Sequence, residues 1–238
     1  MTLGKNFQFQ ISTNDAGRSL SFYKLLGFQD IANGKKPFRW IFLSNGTLNI
    51  ILAEEEFYGL TYFLEDMEEK VDEVKGKGIE FIRKDLKMDD RWYKVIKDPN
   101  DFLIAMVNDL PEYFTKINKY DFNPIGRFKE ISLLSEKIKD SVEFWKKLGY
   151  EIQPDEYAEN SPISLNDGIM NIGLYSKNNN NHYFEAPAIT LIDKNITEKI
   201  KELKEGGLKF QEELENKDGI TGAIALSPEG QTFFLFNK

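Results

Sequence analysis

Ser19 to Phe28 reads SLSFYKLLGF, and Ser141 to Tyr150, 122 residues later, reads SVEFWKKLGY. Each copy sets an aromatic pair, Phe22-Tyr23 or Phe144-Trp145, on an amphipathic helical stretch that stops at a glycine followed by an aromatic. Glycine just past the last turn takes the left-handed conformation that closes a helix, and the aromatic after it opens a strand. The echo extends further. Asp167-Gly168 follows Asn45-Gly46 by 122 residues, and Met170-Asn171-Ile172 follows Leu48-Asn49-Ile50. Beyond that point the offset becomes 129: Lys199 to Lys204 (KIKELK) matches Lys70 to Lys75 (KVDEVK), and Ser227-Pro228 matches Asp98-Pro99. The seven additional residues fall between about Tyr175 and Pro187, where Asn178 to Asn181 reads as a loop. A repeat that holds at several landmarks, with one insertion in a loop, means two equivalent domains.

Within the first half a shorter unit repeats. Phe7 to Thr13 alternates apolar residues with Gln and Ser, as a strand with one polar face does. Asn14 or Asp15 caps the helix over Ser19 to Leu26. Strands follow at Phe28 to Ile31, Phe38 to Leu43 and Leu48 to Ala53, with turns at Asn33-Gly34 and Asn45-Gly46. The same order returns as a strand at Leu60 to Leu64, a helix at Met67 to Lys77, and strands at Ile79 to Ile82, Arg91 to Lys97 and Phe102 to Val107. The first half is therefore two βαβββ units, and the whole chain four. Residues 1–108 and 127–238 are expected as the domains. Residues 109–126, with Pro111, Pro124 and Gly126, are expected as a linker lying along the surface through Tyr113, Phe114 and Tyr120.

The bulk properties narrow the chemistry. No cysteine is present, which excludes disulfides, thiolate catalysis and Cys-ligated zinc. The net charge of −8 argues against nucleic acid or an anionic membrane as partner. MTLGKNFQFQ lacks the apolar core of a signal peptide, and no apolar run approaches the ~20 residues of a membrane span, so a cytoplasmic location is expected. The only histidine, His182, lies in the asparagine-rich loop, and no nucleotide-binding glycine motif occurs. Glu54-Glu55-Glu56 reads as a solvated loop end.

Four βαβββ units, each half opening on "S-x-x-F-Y/W-x-x-L-G-F/Y" and carrying "D/S-P-x-G/D" before its last strand, resemble the vicinal oxygen chelate superfamily. That is the glyoxalase, bleomycin-resistance and extradiol-dioxygenase group. The resemblance implies an α+β fold in which each half forms a half-open mixed-sheet barrel with a ligand on its concave face. In metal-dependent members the ligands are His or Gln on the first strand, Glu on the fourth, His on the fifth and Glu on the eighth. Here those positions fall at about Gln8, Ile51, Leu60 and Ala105, and at Glu130, Gly173, Ile189 and Phe234. Only Gln8 and Glu130 are capable of ligation, so neither a metal nor another cofactor is expected.

The expected activity is the metal-independent binding of a small, partly aromatic ligand. Gln8 and Gln10 would orient it against a wall of Trp40, Tyr62, Trp92 and Ala105. Such pockets are mostly apolar with a few placed polar groups. The alternatives are a lyase or isomerase using Glu130 as base, a dioxygenase with a non-standard metal site, or a structural module whose clefts its own side chains fill, as bulky Phe234 suggests for the second half. A monomer is expected, since tandem duplication replaces the homodimer such folds otherwise form.

Overall fold

The structure is a computed structural model that describes residues 3–88, 91–154, 162–177, 184, 187–217 and 219–238, with the side chains of 83–92 outside the description. The expected tandem α+β architecture is present. The first half runs β1 (Asn6–Ser12), α1 (Ala16–Leu25), β2 (Gln29–Gly34), β3 (Trp40–Ser44), β4 (Asn49–Ala53), β5 (Gly59–Leu64), α2 (Met67–Gly76), β6 (Arg83–Met88), β7 (Arg91–Lys97) and β8 (Leu103–Asn108). The connecting segment holds α3 (Tyr113–Lys116) and one short 3-10 turn. The second half runs β9 (Arg127–Ser135), α4 (Ile138–Lys147), β10 (Glu151–Ile152), β11 (Ile163–Asn166), β12 (Asn171–Ser176), β13 (Ala188–Asp193), α5 (Ile196–Glu205), β14 (Phe210–Asn216), β15 (Gly219–Leu226) and β16 (Thr232–Asn237).

Each half forms one eight-stranded mixed sheet, ordered β2-β3-β4-β1-β5-β8-β7-β6 and β10-β11-β12-β9-β13-β16-β15-β14. The two orders are identical once the repeat is applied. Each sheet is open at its ends and has a parallel pair, β5 with β8 or β13 with β16.

The repeated phrases do what their residues dictate. Asp15 caps α1 by accepting the Gly17 and Arg18 N–H groups on its side chain, satisfying donors the first turn leaves orphaned. Gly27 and Gly149, at φ of +82° and +96°, end α1 and α4 where a Cβ would be strained. Two local expectations are corrected. The third strand of the second unit is Arg83–Met88 and not Ile79 to Ile82, and β2 runs through Asn33-Gly34 where a turn was expected. The Asn45-Gly46 corner also differs in kind. Gly46 alone has positive φ, and Asn45 Oδ1 closes the corner by accepting from Thr47 and Leu48 N–H. Asp167 Oδ1 accepts from Ile169 and Met170 N–H in the same way.

Contacts group the chain into two compact units. The first comprises residues 1–10, 57–114 and 133–183, the second 11–56, 115–132 and 184–238. In the first, the helix α4 buries Trp145 against Phe102, with ring centroids 6.4 Å apart, and against Tyr150 at 5.0 Å. In the second, α1 sets Phe22 and Tyr23 on Phe233 of β16, at 5.8 and 5.7 Å. Phe22, Tyr23 and Trp145 of the repeated phrase are thus core packing. Each unit adds a polar latch at repeat-equivalent positions. Asn100 Nδ2 donates to Ser141 Oγ at 3.0 Å in the first. In the second, Glu229 accepts from Ser19 Oγ at 2.9 Å and Tyr23 OH at 2.8 Å. Among the described residues no helix is long and apolar enough to cross a membrane.

Candidate functional site

Strand pairing decides which side chains share a face. In the first unit Gln8 of β1 lies opposite Thr61 of β5, and Thr61 lies beside Ala105 of β8. These three form one row across the sheet. The neighbouring row, Phe7, Tyr62 and Met106, points to the other face because side chains alternate along a strand. In the second unit Glu130 of β9 lies opposite Thr190 of β13, which lies beside Phe234 of β16. Gln8 and Glu130 are 122 apart; Thr61 and Thr190, and Ala105 and Phe234, are 129 apart. The repeat therefore builds the same row twice. The fifth-strand positions are Thr61 and Thr190, not the Leu60 and Ile189 of the sequence reading, which point to the opposite face.

The first row is buried, with Gln8 4% and Thr61 3% exposed. Its cover comes from α3. Tyr113 OH donates to Gln8 Oε1 at 3.1 Å, and Phe114 meets Phe63 edge-on at 5.1 Å. Phe63 is two residues along β5 from Thr61 and shares its face. The connecting segment thus reaches onto the Gln8 face, beyond the surface packing expected of it. Gln10 is 8% exposed and Ala105 1%, both on this face.

Tyr62 is a correction. It was expected in the ligand wall with Gln8, but it belongs to the opposite face and its hydroxyl hydrogen-bonds the Tyr150 hydroxyl. Burial first, and then the nearby Asp167 carboxylate, push the Tyr62 phenol well above its ordinary range. Burial also raises Tyr150, with the facing Tyr62 and Asp167 adding to it. Burial raises Asp167 as well, against the N–H groups of Met170 and Ile169 that favour its charge. Asp167 Oδ2 is buried without a hydrogen bond. Trp40 sits in the second unit, paired with Gly34 and Ala53, and its indole occupies the space where a Cβ on Gly34 would lie. The backbone of Trp92 pairs with Lys87, and its side chain lies outside the described residues, as does His182.

The second row has different chemistry. Glu130, Ser132 and Thr190 are 4%, 0% and 4% exposed. Ser132 Oγ donates to Glu130 Oε1 at 3.1 Å and lies 3.1 Å from Thr190 Oγ1. Because Ser132 has one proton and gives it to Glu130, Thr190 donates to Ser132. Sequence reading singled out Glu130 but not its two hydroxyl partners, whose signal was the alternation along β9 and the equivalence of Thr190 to Thr61. Phe234 closes the row, edge-on to Phe184 at 5.1 Å and stacked on Phe236 at 5.4 Å.

A divalent metal needs several N and O donors converging on it. The first row presents an amide, a hydroxyl and a methyl; the second presents a carboxylate, a hydroxyl and a phenyl ring. The other two expected positions add nothing, since Ile51 and Gly173 carry no donor. These donor sets do not fit the iron of a ring-cleaving dioxygenase, which draws on imidazole. Among the described residues no group of three or more His, Asp or Glu side chains is placed to hold a metal.

No family model and no curated protein sequence matches this chain. Solved structures do. A xylose isomerase-like TIM barrel/4-hydroxyphenylpyruvate dioxygenase fusion protein aligns with 100% of this chain at TM-score 0.65 and 14% identity, and the chain spans only 49% of that protein. A catechol 2,3-dioxygenase aligns with 97% of this chain and 91% of its own length at TM-score 0.62 and 12% identity. Homoprotocatechuate 2,3-dioxygenase from Arthrobacter globiformis aligns with 100% of this chain and 80% of its own at TM-score 0.64 and 12% identity. At such identities the likeness is one of fold, and it covers both halves: the chain has the tandem fold of these dioxygenase structures, with neither of its two repeated rows bearing a histidine.

Proposed function

We propose that this chain is a metal-independent, small-molecule-binding relative of the glyoxalase and bleomycin-resistance proteins, with its ligand on the Gln8 face of the first sheet. The observation that carries the reading is the composition of the Gln8–Thr61–Ala105 row. It pairs two uncharged hydrogen-bonding groups with a methyl, beside Phe63, Val95 and Val107 on the same face. The equivalent place in the second row is filled by Phe234 and its ring partners. The net charge of −8 favours a small molecule over nucleic acid as the partner. The test is metal content of protein purified without chelator, with thermal unfolding repeated in Mn, Fe, Co, Ni and Zn. We expect no stoichiometric metal and no ion-specific stabilisation. A specific ion would stabilise by about 2.7 kcal/mol at a hundredfold excess over its dissociation constant, and that result overturns the reading.

A second reading, an enzyme acting through Glu130, is favoured by the Thr190–Ser132–Glu130 chain. A buried carboxylate with an oriented hydroxyl partner is equipped to remove a proton from an acidic C–H bond. Its signature would be solvent deuterium entering such a position of a bound compound, lost in Glu130→Gln.

A further inference from the structure

We infer that Asn33-Gly34, at the end of β2, is a site of spontaneous chemical modification, where the asparagine side chain loses ammonia to leave aspartate and isoaspartate. The chain holds two Asn-Gly pairs, and the second, Asn45-Gly46, is protected by the fold. The reaction starts when the main-chain nitrogen of the glycine attacks the side-chain carbonyl carbon of the asparagine. A C–N bond forms, closing a cyclic imide, and the bond to the side-chain nitrogen breaks. Ammonia leaves, carrying the proton of the glycine N–H. Water then opens the imide, giving aspartate at one carbonyl and isoaspartate at the other. The net change is one water taken up and one ammonia released. Glycine favours the attack because it has no Cβ to obstruct its nitrogen and its backbone turns freely.

Asn33 is exposed, and no hydrogen bond holds its amide among the described residues. β2 is an edge strand and Gly34 is its last residue. Only the terminal pairs, Asn33 with Ile41 and Gly34 with Trp40, have to open for the nitrogen to reach the side chain. Fraying of this kind costs little at the end of an element. The glycine is itself imposed by packing, since a Cβ at position 34 would lie 2.6 Å from the Trp40 indole. Asn45 differs on each count. It is fully buried. Its Oδ1 accepts from Thr47 N–H at 2.9 Å, Thr47 Oγ1 at 2.9 Å and Leu48 N–H at 2.8 Å, which fixes the group under attack. The attacking Gly46 N–H is engaged as well, donating to Ser44 Oγ at 3.1 Å. Reaction there has to break several hydrogen bonds in a place closed to the water that completes it.

The experiment incubates the full chain at mildly alkaline pH over weeks, beside a sample kept unfolded in guanidinium chloride. Each is digested, and mass spectrometry follows the peptides that carry Asn33 and Asn45, with chromatography separating isoaspartate from aspartate. In the folded chain Asn33 is expected to convert at least about tenfold faster than Asn45, with isoaspartate among its products. In guanidinium chloride that gap should close, because both asparagines then differ only in their flanking residues. An Asn33 that stays intact in the folded chain, or an Asn45 that converts as fast, would overturn the inference. A gap that persists in the unfolded chain would overturn it too, since the fold would not be its cause.

Discussion

The two rows are copies of one design that have diverged on either side of a shared threonine. Both sit on the first, fifth and eighth strands of their sheets, and both keep threonine in the middle. Around that threonine the first row has Gln8 and Ala105, an amide and a methyl; the second has Glu130 and Phe234, a carboxylate and a ring. The second carboxylate is answered within its own unit by Ser132 and Thr190, while in the first row the Gln8 amide oxygen accepts from Tyr113 of the connecting segment. A duplicated fold thus retains its backbone ladder because every strand depends on it, while the row side chains are free to change. Function follows those side chains and not the fold.

The difference in filling gives the largest expected effect. Phe234→Ala removes a ring that is 3% exposed and packed on Phe184 and Phe236, and should cost about 3–5 kcal/mol in urea unfolding. The reverse change, Ala105→Phe, should cost no more than about 1–3 kcal/mol by overpacking. Equal costs would mean that the first row is as tightly filled as the second.

The latches come next. Glu229→Ala strips the acceptor from two hydroxyls, and Asn100→Ala, at the equivalent position, loses the bonds its amide gives to Ser141 Oγ and to the Asp98 carboxylate; each should destabilise by about 2 kcal/mol. Paired unfolding curves decide whether the charged latch is the stronger.

The smallest effect depends on pH. Asp167 and Asn45 occupy equivalent corners, and each leaves one buried polar atom without a hydrogen bond. Burial raises the Asp167 carboxyl. Its contribution is therefore fully present below the ordinary carboxylate value of about 4 and is lost as pH rises through the raised value. Asp167→Asn, which makes the second corner like the first, should lack that loss. Its melting temperature relative to the unaltered chain should be higher at pH 7 than at pH 3. A difference that does not change with pH would show that Asp167 is not held back from ionising.

The tandem βαβββ order, the helix caps and stops, and the insertion before Pro187 were legible from the chain, because propensity, capping and periodicity act within about ten residues. The repeat also located Gln8 and Glu130 as equivalent. The middle of each row was not legible. Whether Leu60 or Thr61 lies opposite Gln8 depends on strand pairing across 53 residues, and a slip of one exchanges the faces of a sheet. That slip is also why Tyr62 was expected beside Gln8 and is found against Tyr150. Nor did anything local in Tyr113 foretell a hydrogen bond to a residue 105 positions earlier. Sequence by itself determined how many βαβββ modules there are and which residue types each row has to work with. Only the tertiary structure decided which side chains meet and which face each row shares, because those depend on contacts between segments whose separation no local propensity encodes.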